Sequence, residues 1–432
     1  MKISKFLSNH SSNSNFLIYS FFLLVITIPI LQPNLIIFGQ RISLPDFIFT
    51  GVILILGFSI ISGKTTFRWH RIYWVFLFYF LAMLISLIFS RNNSRGLSKL
   101  LGETYLIGLA IITYNIVKTI SDLKMVCMAW LAGTFFVTSL ATISVLLFYI
   151  DPQNPILEHT LTMYGAVPVG NYPRVLSTFY SASLFCNYLT CSLGILFISD
   201  YFKWISDKFF YILYFLIWLS AVYTVSSGLG GIICLVGIWI WFIFRKKNPS
   251  LSKLFFSGGI FSAIFFYLML FIALQSYRQV PYSFTIPFIE KTIFPSSRVL
   301  VWTEALQTFL NNPITGVGIG NGSVNISFTN TDGSTSLLID AHNIFLSVAT
   351  QTGLIGLSAF LLMIFFILRE FLPFKFSDKK ISIIPISLGL AFIFGFIYQG
   401  LFGSFEDARH IWIWIGLILS FGKNVILLQN PK

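Results

Sequence analysis

The chain has 432 residues, of which 56% are hydrophobic and only 10% charged, against roughly a quarter charged in an average soluble domain. That composition excludes a water-soluble globular enzyme and describes a membrane protein. The formal net charge of +13 needs no nucleic acid to explain it, because lysine and arginine also orient membrane proteins and touch anionic headgroups.

Residues 1–15 are polar, rich in Ser and Asn, and carry Lys2 and Lys5 before the first apolar run. No small-residue cleavage site follows that run, so the first span is expected to be retained. Apolar runs of about 18 to 25 residues then recur, each long enough to cross about 30 Å of hydrocarbon. They centre near Leu23, Leu54, Ala82, Gly108, Phe135, Leu189, Ile217, Gly237, Phe265, Ala359, Phe392 and Ile415. The pattern predicts an all-α polytopic integral membrane protein with about 12 transmembrane helices, residues 1–432 forming a single membrane domain.

The positive-inside rule tests this count. With both termini cytoplasmic, most basic residues fall in inner segments and are mainly lysine, as in Arg245, Lys246, Lys247 and Lys253. Arg41, Arg91, Arg95, Lys99, Arg174, Arg278, Lys291, Arg298 and Arg409 stay outside and are mainly arginine. Arginine presents a planar fork of donors suited to phosphate, so the two sets are read as having different tasks. Cys127, Cys186, Cys191 and Cys234 stand singly in apolar segments without metal-ligand spacing and read as packing residues.

Glu103 lies within an apolar run, and Lys99 one turn before it is a candidate partner, which makes a structural pair the favoured reading. Two outer loops are long, residues 151–173 and 275–341, and long ordered loops in compact proteins usually carry function. The first runs into "NYPRVLSTF", which sets Arg174 just before span six. Arg278 follows span nine in "QSYRQV" and reads by itself as an interfacial anchor, a reading equally open for Arg174. Within the second loop, between spans nine and ten, "SSRVLVWTEALQTFLNNP" places Val299, Trp302, Leu306 and Phe309 at steps of three and four. That spacing predicts an amphipathic helix, capped by Ser296 or Ser297 and stopped by Asn311, Asn312 and Pro313, with Arg298 in its first turn. Free amides and a formal charge at one helix start suit an anion, and an arginine laying its stem over Trp302 fits the same spacing equally well. The next segment, "TGVGIGNG", lacks the Gly-Lys-Ser/Thr ending of a phosphate-binding loop and reads as a flexible turn.

His342 opens span ten. Leu346, Ala349, Gly353 and Gly356 follow at helical steps, so one face runs from an imidazole at the outer surface to small residues that allow a second helix to approach closely. Imidazole takes or gives a proton near neutral pH, and no second histidine or thiol is spaced to complete a metal site. Further on, "GSFEDARHIW" gathers Glu406, Asp407, Arg409 and His410 in a short outer turn, which reads as a mutually neutralising cluster.

His342 and Asn343, nine residues, then "GLIG" and Leu357 resemble the signature of the bacterial O-antigen ligase and polymerase superfamily. The preceding series Arg298, Trp302, Ala305, Phe309, Pro313, Gly316 and Gly318 is similar to that family's outer-loop pattern, and Arg174, Ser177, Thr178 and Phe179 to an earlier one. One departure is "TVSSGLGG", where Ser227 stands at the position of a frequent family arginine.

The resemblance implies glycosyl transfer at the outer face of the bacterial inner membrane, by an O-antigen or exopolysaccharide polymerase or ligase. The donor would be an undecaprenyl-diphosphate-linked glycan and the acceptor a hydroxyl of another glycan or of lipid A core. Arg174, Arg298 and Arg278 are then expected to bind the diphosphate, and His342 to orient or deprotonate the acceptor. Asn343, Gly353 and Gly356 would fix the helix, with no metal and no cofactor. The alternative is a polyisoprenoid-linked glycan flippase or other polysaccharide transporter. It would want a charged central cavity and internal symmetry, whereas here no repeat is visible and the charges crowd outer span ends.

Overall fold

The computed structural model describes residues 12–37, 40–164, 172–245, 247–271, 284–285, 292–293, 297–329, 335–372, 383–405 and 407–422. They are mostly helical. In chain order the helices are α1 (Ser12–Thr27), α2 (Leu44–Ile61), α3 (Ile72–Ile88), α4 (Asn93–Ile116), α5 (Ile120–Ile150), α6 (Pro155–Thr160) and α7 (Ala182–Tyr201). There follow α8 (Asp207–Tyr223), α9 (Gly228–Phe244), α10 (Pro249–Phe271), α11 (Ser297–Asn311), α12 (Ile344–Phe371), α13 (Ile383–Phe392) with a π-helical continuation Ile393–Tyr398, and α14 (Arg409–Phe421). The connections hold antiparallel strand pairs: β1 (Leu35–Ile37) with β2 (Gln40–Ile42), β3 (Leu161–Tyr164) with β4 (Tyr172–Val175), β5 (Phe284–Thr285) with β6 (Thr292–Ile293), and β7 (Ile326–Thr329) with β8 (Thr335–Leu338).

Every expected span centre falls inside one of these helices. Among the described residues, α2, α4, α5, α7, α10 and α12 are long and apolar enough to cross a membrane, while α3, α9, α14 and apolar parts of α1 and α13 are shorter. The short ones have a physical reason. The 13 residues of α14 reach only about 20 Å, but residues His410 to Phe421 are buried on every side, so protein rather than lipid surrounds this helix. With α7, which is similarly enclosed, it forms the centre, whereas α10 is mostly exposed at the periphery.

Local caps set several helix starts. Thr119 accepts from the Asp122 amide at 3.1 Å while the Asp122 carboxylate takes the Thr119 amide at 2.9 Å, a capping box that starts α5. Asn92 accepts from the Arg95 amide at 3.1 Å and starts α4. Asp46 accepts from the Ser43 amide and hydroxyl, both at 2.8 Å, at the start of α2. The other carboxylate face of that side chain is taken by Arg409, whose Nε and Nη2 each lie 2.8 Å from Asp46. The expected charge cluster before α14 is therefore dispersed: Arg409 pairs with α2, His410 is buried against Asn187 at 2.7 Å, and Asp407 lies 3.9 Å from Lys99. Glu406 lies outside the described residues. Glu103 is buried in α4.

Helix α12 is interrupted at Gly353, whose φ of 64° and ψ of −162° are not helical. An unbroken helix would join the Leu354 and Ile355 amides to the carbonyls of Thr350 and Gln351. Instead, the segment after α11 repairs the gap. Leu354 donates to Pro313 at 2.7 Å and Ile355 to Ile314 at 3.4 Å, while Val317 donates to Thr350 at 2.9 Å and Gly318 to Gln351 at 3.1 Å. Inside an apolar bundle such pairing is required, because each unsatisfied peptide group costs several kcal/mol.

The glycine-rich segment is consequently not a flexible turn. Gly316, Gly318 and Gly320 all have positive φ, and a Cβ on them would overlap the backbone of Gln351, of Phe89 and Ser90, and of Arg95 and Gly96 respectively. Ser86 and Ser90 fasten it further, through the Ile319 amide at 3.0 Å and carbonyl at 2.9 Å. The glycines allow a backbone to thread between α12 and the α3–α4 connection.

Candidate active site

The site starts with four residues, Asp340 to Asn343. The Asp340 Oδ1 accepts from the His342 amide at 3.1 Å, an Asx-type turn. This turn holds His342 at a φ of 48°, in the left-handed region, and folds its ring back so that Nδ1 lies 3.2 Å from Asp340 Oδ2. Asn343 then caps α12: its Oδ1 accepts from the Phe345 and Leu346 amides at 3.0 and 3.2 Å. The imidazole is left 45% exposed at the head of that helix.

Two other elements clamp this turn. From α11, Trp302 Nε1 donates to the Ala341 carbonyl at 3.0 Å. Arg298 Nη1 donates to the carbonyls of His342 at 3.3 Å and Phe402 at 2.7 Å. The expected amphipathic helix is present, but the face it buries differs from the expected one. Val301 and Ala305 are buried with Val324 and Ala341, whereas Leu306 and Leu310 are exposed. The bonds from Trp302 and Arg298 turn Val301 and Ala305 toward Ala341, so that of the expected stripe Val299, Trp302 and Phe309 are half-buried and Leu306 is exposed.

The second clamp is the turn after the π-helical stretch. Leu401 accepts from Asn343 Nδ2 at 3.0 Å, and Ser404 Oγ donates to Asp340 Oδ1 at 2.7 Å, beside a weaker bond from Ser347 at 3.3 Å. A buried polar chain holds that turn in place. Gln399 donates to Thr190 Oγ1 at 2.8 Å and to the Gly228 carbonyl at 3.1 Å, and its Oε1 accepts from Asn187 at 2.9 Å. Asn187 also donates to the Gly395 carbonyl, within the π-helical stretch, a form of helix often found at functional sites. Burial pushes the Asp340 carboxyl up. The hydrogen bond and charge of His342 and the hydroxyl of Ser404 outweigh that effect and hold it well below the usual carboxylate range.

His342, Asn343 and Arg298 thus come together. Arg174 sits on β4 and makes different contacts, its Nε donating to the Thr224 carbonyl at 2.8 Å and its Nη2 to Ser183 at 3.3 Å. That carbonyl lies in the α8–α9 turn that also holds Ser227. Arg278 lies outside the described residues. Gly353 does admit a close approach, but of the 313–316 backbone and not of another helix, and Gly356 faces Thr352 of its own helix across the break. Asp340 and Ser404 escaped the sequence reading. Asp340 left one signal, an aspartate two residues before the histidine, the spacing of an Asx turn. Ser404 left none, because its partner is far away in the chain. Among the described residues, no group of three or more His, Cys, Asp or Glu could hold a metal ion.

No curated protein matches the chain. Residues 212–361 match the family described as O-antigen ligase. The matched stretch includes α11, the threaded glycine segment, Asp340, His342 and the break in α12, and leaves out Arg174. The similarity to the O-antigen ligase family is thus carried by residues 212–361, and it supports membership of the O-antigen ligase superfamily.

Proposed function

We propose that this membrane protein transfers a glycan from an undecaprenyl-diphosphate-linked donor to an acceptor hydroxyl, as a polymerase or ligase at the outer face of the bacterial inner membrane. One observation carries the reading: the guanidinium of Arg298 on α11 is anchored on the carbonyl of His342, so a permanent cation and an exposed imidazole meet at one turn. Anion stabilisation and proton acceptance are the two things that glycosyl transfer from a diphosphate needs.

In this mechanism the acceptor oxygen forms a bond to the anomeric carbon, and the bond to the diphosphate breaks with its electron pair on the phosphate oxygen. Arg298, assisted by Arg174 and Arg278, counters the charge that develops there. His342 takes the proton. Guanidinium groups would do the work of the divalent cation that many sugar transferases use.

The test is transfer by purified protein in nanodiscs from a lipid-linked donor. His342→Gln is expected to insert and fold but to lose about 100-fold or more in kcat, and EDTA is expected to change nothing. Full activity in His342→Gln overturns the role of the ring, and activity abolished by EDTA and restored by magnesium overturns the metal-free mechanism. Deletion of the gene separates the two activities, since single repeats on the core indicate a polymerase and naked core with lipid-linked polymer indicates a ligase.

A further inference from the structure

We infer that Asp340 is the positioning residue of His342, that it selects the ring tautomer with the proton on Nδ1, and that Ser404 and Ser347 hold Asp340 for this task. The inference rests on the reading of His342 as the proton acceptor given above.

The chemistry follows from which atoms can donate. An ionised carboxylate only accepts hydrogen bonds, so the ring nitrogen that faces it carries the proton. That nitrogen is Nδ1, 3.2 Å from Asp340 Oδ2. In the neutral ring Nε2 is then left with its lone pair, on an imidazole that is 45% exposed. This is the atom that receives the acceptor hydroxyl proton as the carbon–oxygen bond forms and the diphosphate leaves.

Asp340 is itself held from three sides. Its Oδ1 accepts from the His342 amide at 3.1 Å, from Ser404 at 2.7 Å and from Ser347 at 3.3 Å. These donors come from its own turn, from the turn before α14 and from the first turn of α12, so the carboxylate cannot rotate away without breaking contacts to three elements. A carboxylate so held keeps the ring orientation and stabilises the imidazolium once the proton has arrived. Among the described residues, Arg298 of α11 also meets this turn, donating to the backbone carbonyl of His342, while Asp340 faces Nδ1.

The decisive variant is Asp340→Asn, which preserves shape and replaces one carboxylate oxygen with an amide donor. A donor facing Nδ1 favours the opposite tautomer and blocks Nε2 with the proton. Two readouts are made on protein in nanodiscs. The first is the nitrogen NMR spectrum of ring-labelled histidine, in which the His342 signals are found by difference against His342→Gln among the five histidines of the chain. The wild type should show Nδ1–H, and Asp340→Asn should show Nε2–H. The second is transfer kinetics, where Asp340→Asn should lose about 100-fold or more in kcat with KM little changed, Asp340→Glu should recover part of it, and Ser404→Ala should lose less. Nε2–H in the wild type, or full kcat in Asp340→Asn, overturns the inference. Full activity of His342→Gln overturns the catalytic reading instead, and the NMR result then still decides whether Asp340 sets the tautomer.

Discussion

Replacing Gly353 with alanine should separate a hinge from an ordinary helix glycine. At φ 64° and ψ −162° the backbone occupies a region essentially reserved for glycine, and alanine there costs about 1–3 kcal/mol. The new Cβ would also overlap the Ile314 carbonyl and approach Gly316 N to 2.6 Å. If α12 straightens to avoid this, it regains two of its own hydrogen bonds and forfeits the four that cross to residues 313–318. At about 0.5–1.5 kcal/mol net for each bond, that deficit adds about 1–3 kcal/mol. A loss of about 2–6 kcal/mol is large beside the 5–15 kcal/mol typical of whole domains. Because α11 ends at Asn311, close to Pro313, its displacement should also draw Arg298 and Trp302 away from His342.

Thermal unfolding in nanodiscs and transfer activity are measured together. Gly102→Ala serves as the control, since a Cβ there meets nothing within 4 Å. Gly356 sharpens the test. A Cβ at Gly356 overlaps Thr352 only because the break brings the two together; in a regular helix, residues four apart keep their Cβ atoms about 5–6 Å apart. Gly356→Ala should therefore destabilise the native chain but add little in the Gly353→Ala background. Strictly additive losses, or a Gly353→Ala protein as stable and active as the Gly102→Ala control, would refute this account of α12.

The Asp46–Arg409 pair joins two helix starts through two 2.8 Å bonds with only 18% of each side chain exposed. Asp46→Ala should cost about 3–5 kcal/mol by stranding the guanidinium, whereas Asp46→Leu with Arg409→Met should recover most of it; unfolding midpoints of the single and double variants check this. The pH response of the His342 turn follows from Asp340, whose folded-state pKa is depressed. Its contribution is complete above the unfolded carboxyl value of about 3.9 and is lost as pH falls through the lower folded value. Hydrogen exchange at the His342 amide, corrected for its intrinsic pH dependence, should thus stay protected from pH 8 to 5 and open only below about pH 4. Opening near pH 6 would contradict the assignment.

Much of the architecture was legible in the chain itself. Hydropathy over some twenty residues is a local property set by transfer from water to hydrocarbon, so every expected span centre fell inside a helix. Helix α11 was legible from its periodicity and stop signals; residue chemistry and spacing singled out Arg298 and His342, and the family resemblance singled out Asn343, as candidates. Side-chain direction was not. The face that α11 buries is decided by the Trp302 and Arg298 bonds to carbonyls of a segment some forty residues away, and periodicity carries no information about an unseen partner. Gly353 read as a contact for a second helix, yet it is where a helix opens to receive another backbone. The choice between those outcomes depends on whether another part of the chain can satisfy the freed peptide groups. Asp340 and Ser404 became part of the site only when the turn before α14 was brought against the head of α12. Sequence by itself determined which segments avoid water and which residues can carry charge or a proton. The tertiary structure decided which of them meet, because hydrogen bonds and packing between distant segments depend on geometry that no local pattern encodes.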